Sequence, residues 1–344
     1  HIRRAAGLGI APTTPDPDRY DKMHRHCDVL VVGGGPAGLM AALAAARAGA
    51  RVILADEQPR FGGSLLHTDA RIGGESALDW VDETLSELKA NSNVILLPRS
   101  TVTGYYDHNF LVINERRTHH LGPGQADPRI SRERLWRVRA SQVVLATGAI
   151  ERPLVFGSND APGVMLCSAV STYIRRYGVV PGQRGAVFTN NDSGYQAAVD
   201  MAWAGMEVSA VIDLRPSPAG QAVETVEALG IPVHAGHVVC GTRSNAQGLN
   251  RIELARLTDN GSDILSYKGL LDCQVLAISG GWSPTVHLHS QSGAKAVFDE
   301  ELACFVPGNS VQAERSAGSS AGTFDLAGCL SAGAGAGVAA ARAS

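Results

Sequence analysis

Gly33, Gly35 and Gly38 stand two and three positions apart, and Asp56 follows Gly38 by eighteen. Those residue types at that spacing can hold a dinucleotide. The first glycine permits a tight turn, the second leaves the backbone bare where a pyrophosphate approaches, and the third lets a helix pack close on a strand. Pro36 fits the first helical turn, where its missing N–H costs nothing. The free N–H groups and positive end of that helix would face the phosphates. Asp56, followed by Glu57, stands where a carboxylate accepts hydrogen bonds from an adenosine ribose diol, and its charge would repel a ribose phosphate, so NAD or FAD is expected over NADP.

The elements needed to position these residues are present in order. Val29 to Val32 reads as a buried strand, an alanine-rich helix follows the glycines, and Arg51 to Ala55 reads as a second strand ending at Asp56. A second glycine turn, Gly62-Gly63-Ser64-Leu65, comes next. Its N–H groups could form an anion nest, and a plain loop fits equally well. Further cofactor candidates are Val102 and Thr103, on the strand-like stretch Arg99 to Asp107, and Thr147 and Gly148, where the buried strand Val143 to Ala146 ends. Near the end of the chain, Gly318, Ser319, Thr323 and Leu326 precede an Ala/Gly-rich helix whose small residues allow close packing against the first glycine turn.

The opening pattern recurs from Gly185 to Asp213 as strand, turn, helix and strand, but the second turn is Thr189-Asn190-Asn191-Asp192-Ser193-Gly194. Thr189 and Asn191 occupy the first two glycine positions, so side chains fill the space a pyrophosphate needs. Either this fold has lost its nucleotide or it binds something smaller and hydroxylated. The expected fold class is α/β: two Rossmann-like dinucleotide-binding domains, the second inserted in the first. Residues 1–26 are expected to be a linker, 27–152 with 275–344 the first domain, and 153–274 the insertion.

Composition excludes several classes. At 344 residues the chain can bury two cores, and 39 glycines suit an α/β protein with many tight turns. A formal net charge of −3 gives no reason to expect nucleic acid or an anionic membrane surface. No apolar run is expected to span a bilayer, since Arg47 and Arg51 interrupt the longest candidate. The six cysteines are scattered without a Cys-x-x-Cys pair, which argues against zinc and for reduced thiols in a cytoplasm. The adjacent His119 and His120 share no face, and His287 with His289 would share one only in a strand, so a metal site is not expected. No His or carboxylate is placed by a motif as a general base or nucleophile. Because the chain begins at His1, it is expected to be a piece of a longer polypeptide.

Two dinucleotide folds joined at Ala146-Thr147-Gly148 resemble the thioredoxin-reductase branch of two-dinucleotide-domain flavoproteins. Three features depart from a working reductase: Val170 replaces the second redox cysteine after Cys167, the turn from Thr189 to Gly194 lacks its first two glycines, and Ser319 replaces the acid that holds the flavin ribityl chain. The strings PDPDRY (15–20), GYYDHNF (104–110), TNNDS (189–193), ISGGWSPTVHL (278–288) and TFDLAGCL (323–330) are similar to the α subunits of heterotetrameric sarcosine oxidase and of the opine oxidases. That resemblance implies an NAD-binding region with contacts from Gly33, Gly35, Ala37, Gly38, Asp56, Glu57, Gln58 and Ser64. It also implies a β subunit carrying FAD, FMN at the α–β interface, further small subunits, a folate-linked one-carbon product, and no amine oxidation in this region itself. An opine or other secondary amine as substrate, and a self-sufficient FAD/NAD(P)H reductase, are the alternatives.

Overall fold

The computed structural model describes residues 5–7, 9, 11–122 and 124–344. A seven-stranded sheet organises the first domain. Four of its strands, Val94–Leu97, Val52–Ala55, Tyr20–Val32 and Glu133–Leu145, run parallel, and Glu314–Ser316 adds a fifth parallel strand beside the end of Glu133–Leu145. The front half of Glu133–Leu145 turns into an antiparallel meander with Phe110–Arg116 and Ser100–Tyr106. Alternation along the strands divides the core. Val29, Val31, Val52 and Leu54 face the helices Pro36–Arg47 and Ala77–Ala90, whereas Leu30, Val32, Ile53 and Ala55 face the meander.

The second domain repeats the plan. Its five parallel strands run in the order Val164–Leu166, Val275–Ser279, Arg184–Thr189, Glu207–Asp213 and Val233–Ala235. Helices Cys167–Tyr177, Ser193–Trp203 and Gln221–Ala228 belong to this domain, and residues from all three join the cluster on one sheet face. A three-stranded antiparallel sheet from His237 to Asp272 covers the other. The two-domain plan with an insertion is therefore as expected, with two corrections of boundary.

Tyr20–His26, expected within a linker, extends the opening strand, pairing residue by residue with Glu133 to Arg139. Val275–Ser279, assigned above to the first domain, hydrogen-bonds between Val164–Leu166 and Arg184–Thr189 in the second sheet. The chain returns just beyond it, at Gly280-Gly281, where Trp282–Pro284 pairs with Ala149–Glu151 as a two-stranded bridge. His287 and His289 lie on a short helix, His287–Gln291, and the buried His289 ring bonds Glu314 at 2.8 Å.

The closing helix, Leu326–Ala343, lies across the first. A Cβ at Gly333 or Gly337 would run into the backbone of Ala37 or Ala41, so these two glycines set backbone against backbone. At 18 residues and a mean hydropathy of 1.2, this helix is long and apolar enough to cross a membrane by length and composition, contrary to the expectation that no segment reaches that length. Among the described residues, no three His, Cys, Asp or Glu side chains gather to hold a metal.

Candidate functional site

The first glycine turn is built on two close approaches and one open face. Gly33 has φ +101° and its α-carbon abuts the Ala146 carbonyl, while Gly38 sits against the Gly33 carbonyl. Any side chain there would push strand and helix apart. Gly35 is different, because a Cβ on it would meet only the Gly63 α-carbon, at 3.9 Å. The surface beside the helix start is thus bare by virtue of residue type, as pyrophosphate contact requires. The second glycine turn folds over this surface, and the Gly62 N–H donates to the Gly34 carbonyl at 2.7 Å.

Asp56 ties the turn to the second strand. Its Oδ2 accepts from the Gly34 N–H at 2.6 Å and its Oδ1 from the Gln58 N–H at 2.7 Å. Burial pushes the carboxyl above its ordinary range, and the two backbone N–H groups oppose that shift. Each oxygen retains acceptor capacity for a diol. The Ser100 N–H donates to the Asp56 carbonyl at 2.7 Å, which brings the start of the meander to the same rim.

One continuous cleft of about 1250 Å³ begins at this turn. Gly33, Gly35, Pro36, Ala37, Asp56, Glu57, Gln58, Gly63, Ser64, Val102, Thr147, Gly148 and Ser319 all line it. Six other candidates lie behind the lining. Gly38 supports the helix, Leu65 is buried in the core, and Gly318 packs on the Ala37 methyl. Thr103 points away from Val102 by strand alternation and donates to the Val112 carbonyl at 3.3 Å. Thr323 and Leu326 flank Asp325, whose Oδ1 accepts from the Gly328 N–H at 2.7 Å and so caps the closing helix.

The far end of the cleft is supplied by residues that spacing did not reveal: His67, Ser168, Thr172, Asn190 and Trp282. Here the degraded turn is filled from within. The Asn191 side-chain amide donates to the Ser279 carbonyl at 3.2 Å and its Oδ1 accepts from the Ser193 N–H at 3.1 Å. Thr189 Oγ1 donates to the Asn191 carbonyl at 2.9 Å. Asp213, the counterpart of Asp56, is fully buried. It accepts from Tyr195 Oη and from the Arg215 guanidinium, both at 2.8 Å, and Arg215 also pairs with Asp192 at 2.7 Å. The pair holds the Arg215 pKa above its ordinary value, chiefly through the hydrogen bond to Asp213. A ribose would have to displace an arginine. Trp282 Nε1 donates to Ser193 Oγ at 2.9 Å, tying the returning segment to the second-domain helix.

The family model of FAD dependent oxidoreductases matches residues 28–72, the strand, turn, helix and strand just described. The chain is 47% identical over 98% of its length to the sarcosine oxidase α subunit of Corynebacterium sp. strain P-1, covering 34% of that protein. Against the same subunit of Rhizobium meliloti strain 1021, identity is 43% over 97% of the chain and 32% of the relative. An opine oxidase subunit of Rhizobium meliloti is 29% identical over 81% of this chain and 55% of its own length. Among solved structures, T. acidophilum thioredoxin reductase superposes with a TM-score of 0.68 at 19% identity over 93% of this chain and 97% of its own. L-proline dehydrogenase from P. horikoshii gives 0.64 at 21% over 93% and 55%. Those two likenesses show the fold alone: a Rossmann-type α/β architecture. The chain spans about a third of the length of the sarcosine oxidase subunits it matches, and along nearly all of its own length it is similar to that part of them.

Proposed function

We propose that this chain is the NAD-holding portion of the α subunit of a multisubunit sarcosine oxidase. The overall reaction would convert sarcosine, O2 and water to glycine, hydrogen peroxide and formaldehyde, or methylene-tetrahydrofolate where folate takes the carbon. Amine oxidation is assigned to a β subunit carrying FAD, with FMN at the α–β interface, and this chain serves as scaffold. The single observation that carries the reading is the contrast along the cleft: one bare glycine turn with a ribose-accepting acid, and one turn plugged by its own side chains.

A dinucleotide fits the first end. Gly35 leaves the cradle a Cβ would fill, Asp56 and Glu57 would meet the ribose, and Gly63 and Ser64 would flank the phosphates. NAD or a flavin bound there would supply hydride-transfer capacity. The residues of this chain would bind and orient it. Ser319 lines the cleft at the position where the reductase resemblance expects a ribityl-binding acid, and a serine there favours NAD.

A second reading assigns FAD to the same cradle, favoured by the FAD dependent oxidoreductase match over its residues. One experiment separates the two: purify the full-length α subunit, release its ligand with acid, and identify it by visible absorbance and mass spectrometry. NAD without flavin supports the proposal. FAD that NADH can bleach would replace it with a self-sufficient reductase.

A further inference from the structure

The meander presents an outward face unlike the rest of this acidic chain. Register places Lys22 beside Leu135, His24 beside Arg137, and His26 beside Arg139, and the next strands continue these rows with Val112, Phe110 and Tyr106. No carboxylate occupies an outward position in those three rows. Among the described residues, no carboxylate oxygen pairs within 4.0 Å with the side-chain nitrogens of Lys22, Arg137 or Arg139. Arg137 Nη1 instead donates to His24 Nε2 at 3.5 Å, and the Arg139 guanidinium lies 5.4 Å from the Phe110 ring centroid.

The opposite face of the same strands shows that this chain can neutralise its cations when it needs to. There Asp21 pairs with Arg134 at 3.3 Å and with Arg117 at 3.5 Å, and Glu115 accepts from Trp136 Nε1 at 2.8 Å. Between the outward rows, Tyr106, Phe110, Val112 and Leu135 border a shallow groove of about 500 Å³, with His24 and Arg137 along its edge. Arginine and aromatic side chains around an apolar depression are the composition of interface centres.

We propose that this face docks an acidic protein surface on another subunit of the enzyme, seating an apolar side chain in the groove while carboxylates meet Arg137, Arg139 and Lys22. The inference rests on the subunit reading above and gives it a location. Charge complementarity selects the occupant: a purely apolar partner would leave the cations buried and unpaired, at a heavy desolvation cost.

The test uses the full-length α subunit co-expressed with the other subunits of its oxidase, with assembly read by native mass spectrometry across a salt series. Arg137→Glu with Arg139→Glu is expected to weaken assembly at least tenfold at low salt, Lys22→Glu about threefold, and Arg137→Lys with Arg139→Lys hardly at all. Because Lys22 is exposed, its variant reports on docking without disturbing the core. Unchanged assembly of the double reversal overturns the proposal. So does a lowered melting midpoint of the isolated α subunit with assembly intact, which would give the face to another part of the same chain. Charge-dependent binding to phosphatidylserine vesicles or single-stranded DNA, with assembly unaffected, would give it to a membrane or nucleic acid and equally overturn it. If the wild-type protein fails to assemble at all, the subunit reading fails first and this docking face falls with it.

Discussion

The turns 33–38 and 189–194 share one plan and differ in what fills them. In the first, glycines keep the space beside the helix start empty, and Asp56 spends its hydrogen bonds on backbone N–H groups at the rim. In the second, Asn191 and Thr189 bond across that space and Asp213 is consumed by Arg215 and Tyr195. The third glycine survives in both: a Cβ at Gly194 would lie 2.5 Å from Thr189 Oγ1, much as Gly38 is pinned to Gly33. Close helix-to-strand packing is thus a requirement of the fold, while an open second position is a requirement of the ligand. In the second turn the chain's own polar side chains stand where the first leaves open space.

Breaking the internal lock should have the largest effect. Arg215→Ala leaves the buried Asp213 charge without its cation and should lower unfolding stability by about 3 kcal/mol, measured by urea denaturation, with ligand binding at the first turn unchanged. Gly35→Leu reverses the pattern. Its backbone, at φ −77° and ψ −171°, accepts any residue, so the melting midpoint should hold while dinucleotide affinity falls at least 100-fold by calorimetric titration. A variant that melts early instead would mean the turn is tighter than its open face implies.

Asp56→Ala sharpens the same contrast, with an expected loss of about 2 kcal/mol of ligand affinity from charge-assisted hydrogen bonds. The wild-type site should also be acid-sensitive in a defined direction. Because burial raises the Asp56 pKa, the proton is taken up at a higher pH than by an ordinary carboxylate, and affinity should decline on acidification with a midpoint above that range. A titration from pH 8 downward checks the sign, and a pH-independent affinity would remove Asp56 from the ribose. The smallest change expected is from Ser319→Asp, which should shift preference from NAD toward flavin in a competition assay; an unaltered ratio would show that Ser319 does not reach the ligand.

What could be read from the chain followed from how local each signal was. Gly33 to Asp56 encode turn, helix and ribose acid within one contiguous stretch, so residue order alone exposed them. The distal half of the cleft was hidden because His67, Ser168, Asn190 and Trp282 meet only after two domains have folded and the bridge 149–151 with 282–284 has formed. Thr103 adjoins Val102, and because adjacent strand residues point to opposite sides, of the two it is Val102 that lines the cleft. The front of the opening strand escaped notice for a related reason. Of Asp21, Met23 and Arg25 on its inner register, only Met23 packs against the core, while Lys22, His24 and His26 face outward, so no hydrophobic alternation marks the segment.

The contact of Gly333 and Gly337 with Ala37 and Ala41 joins two helices separated by most of the chain. During synthesis, the first dinucleotide fold emerges with one side of its helix uncovered and waits while the entire inserted domain is made. The insertion closes on strands that are all in hand by Ser279, so it can complete its core before the outer domain receives its last helix. Removal of the closing helix should therefore leave a protein in which the inserted domain is folded and the outer domain is not, an inversion of the order in which their sequences begin.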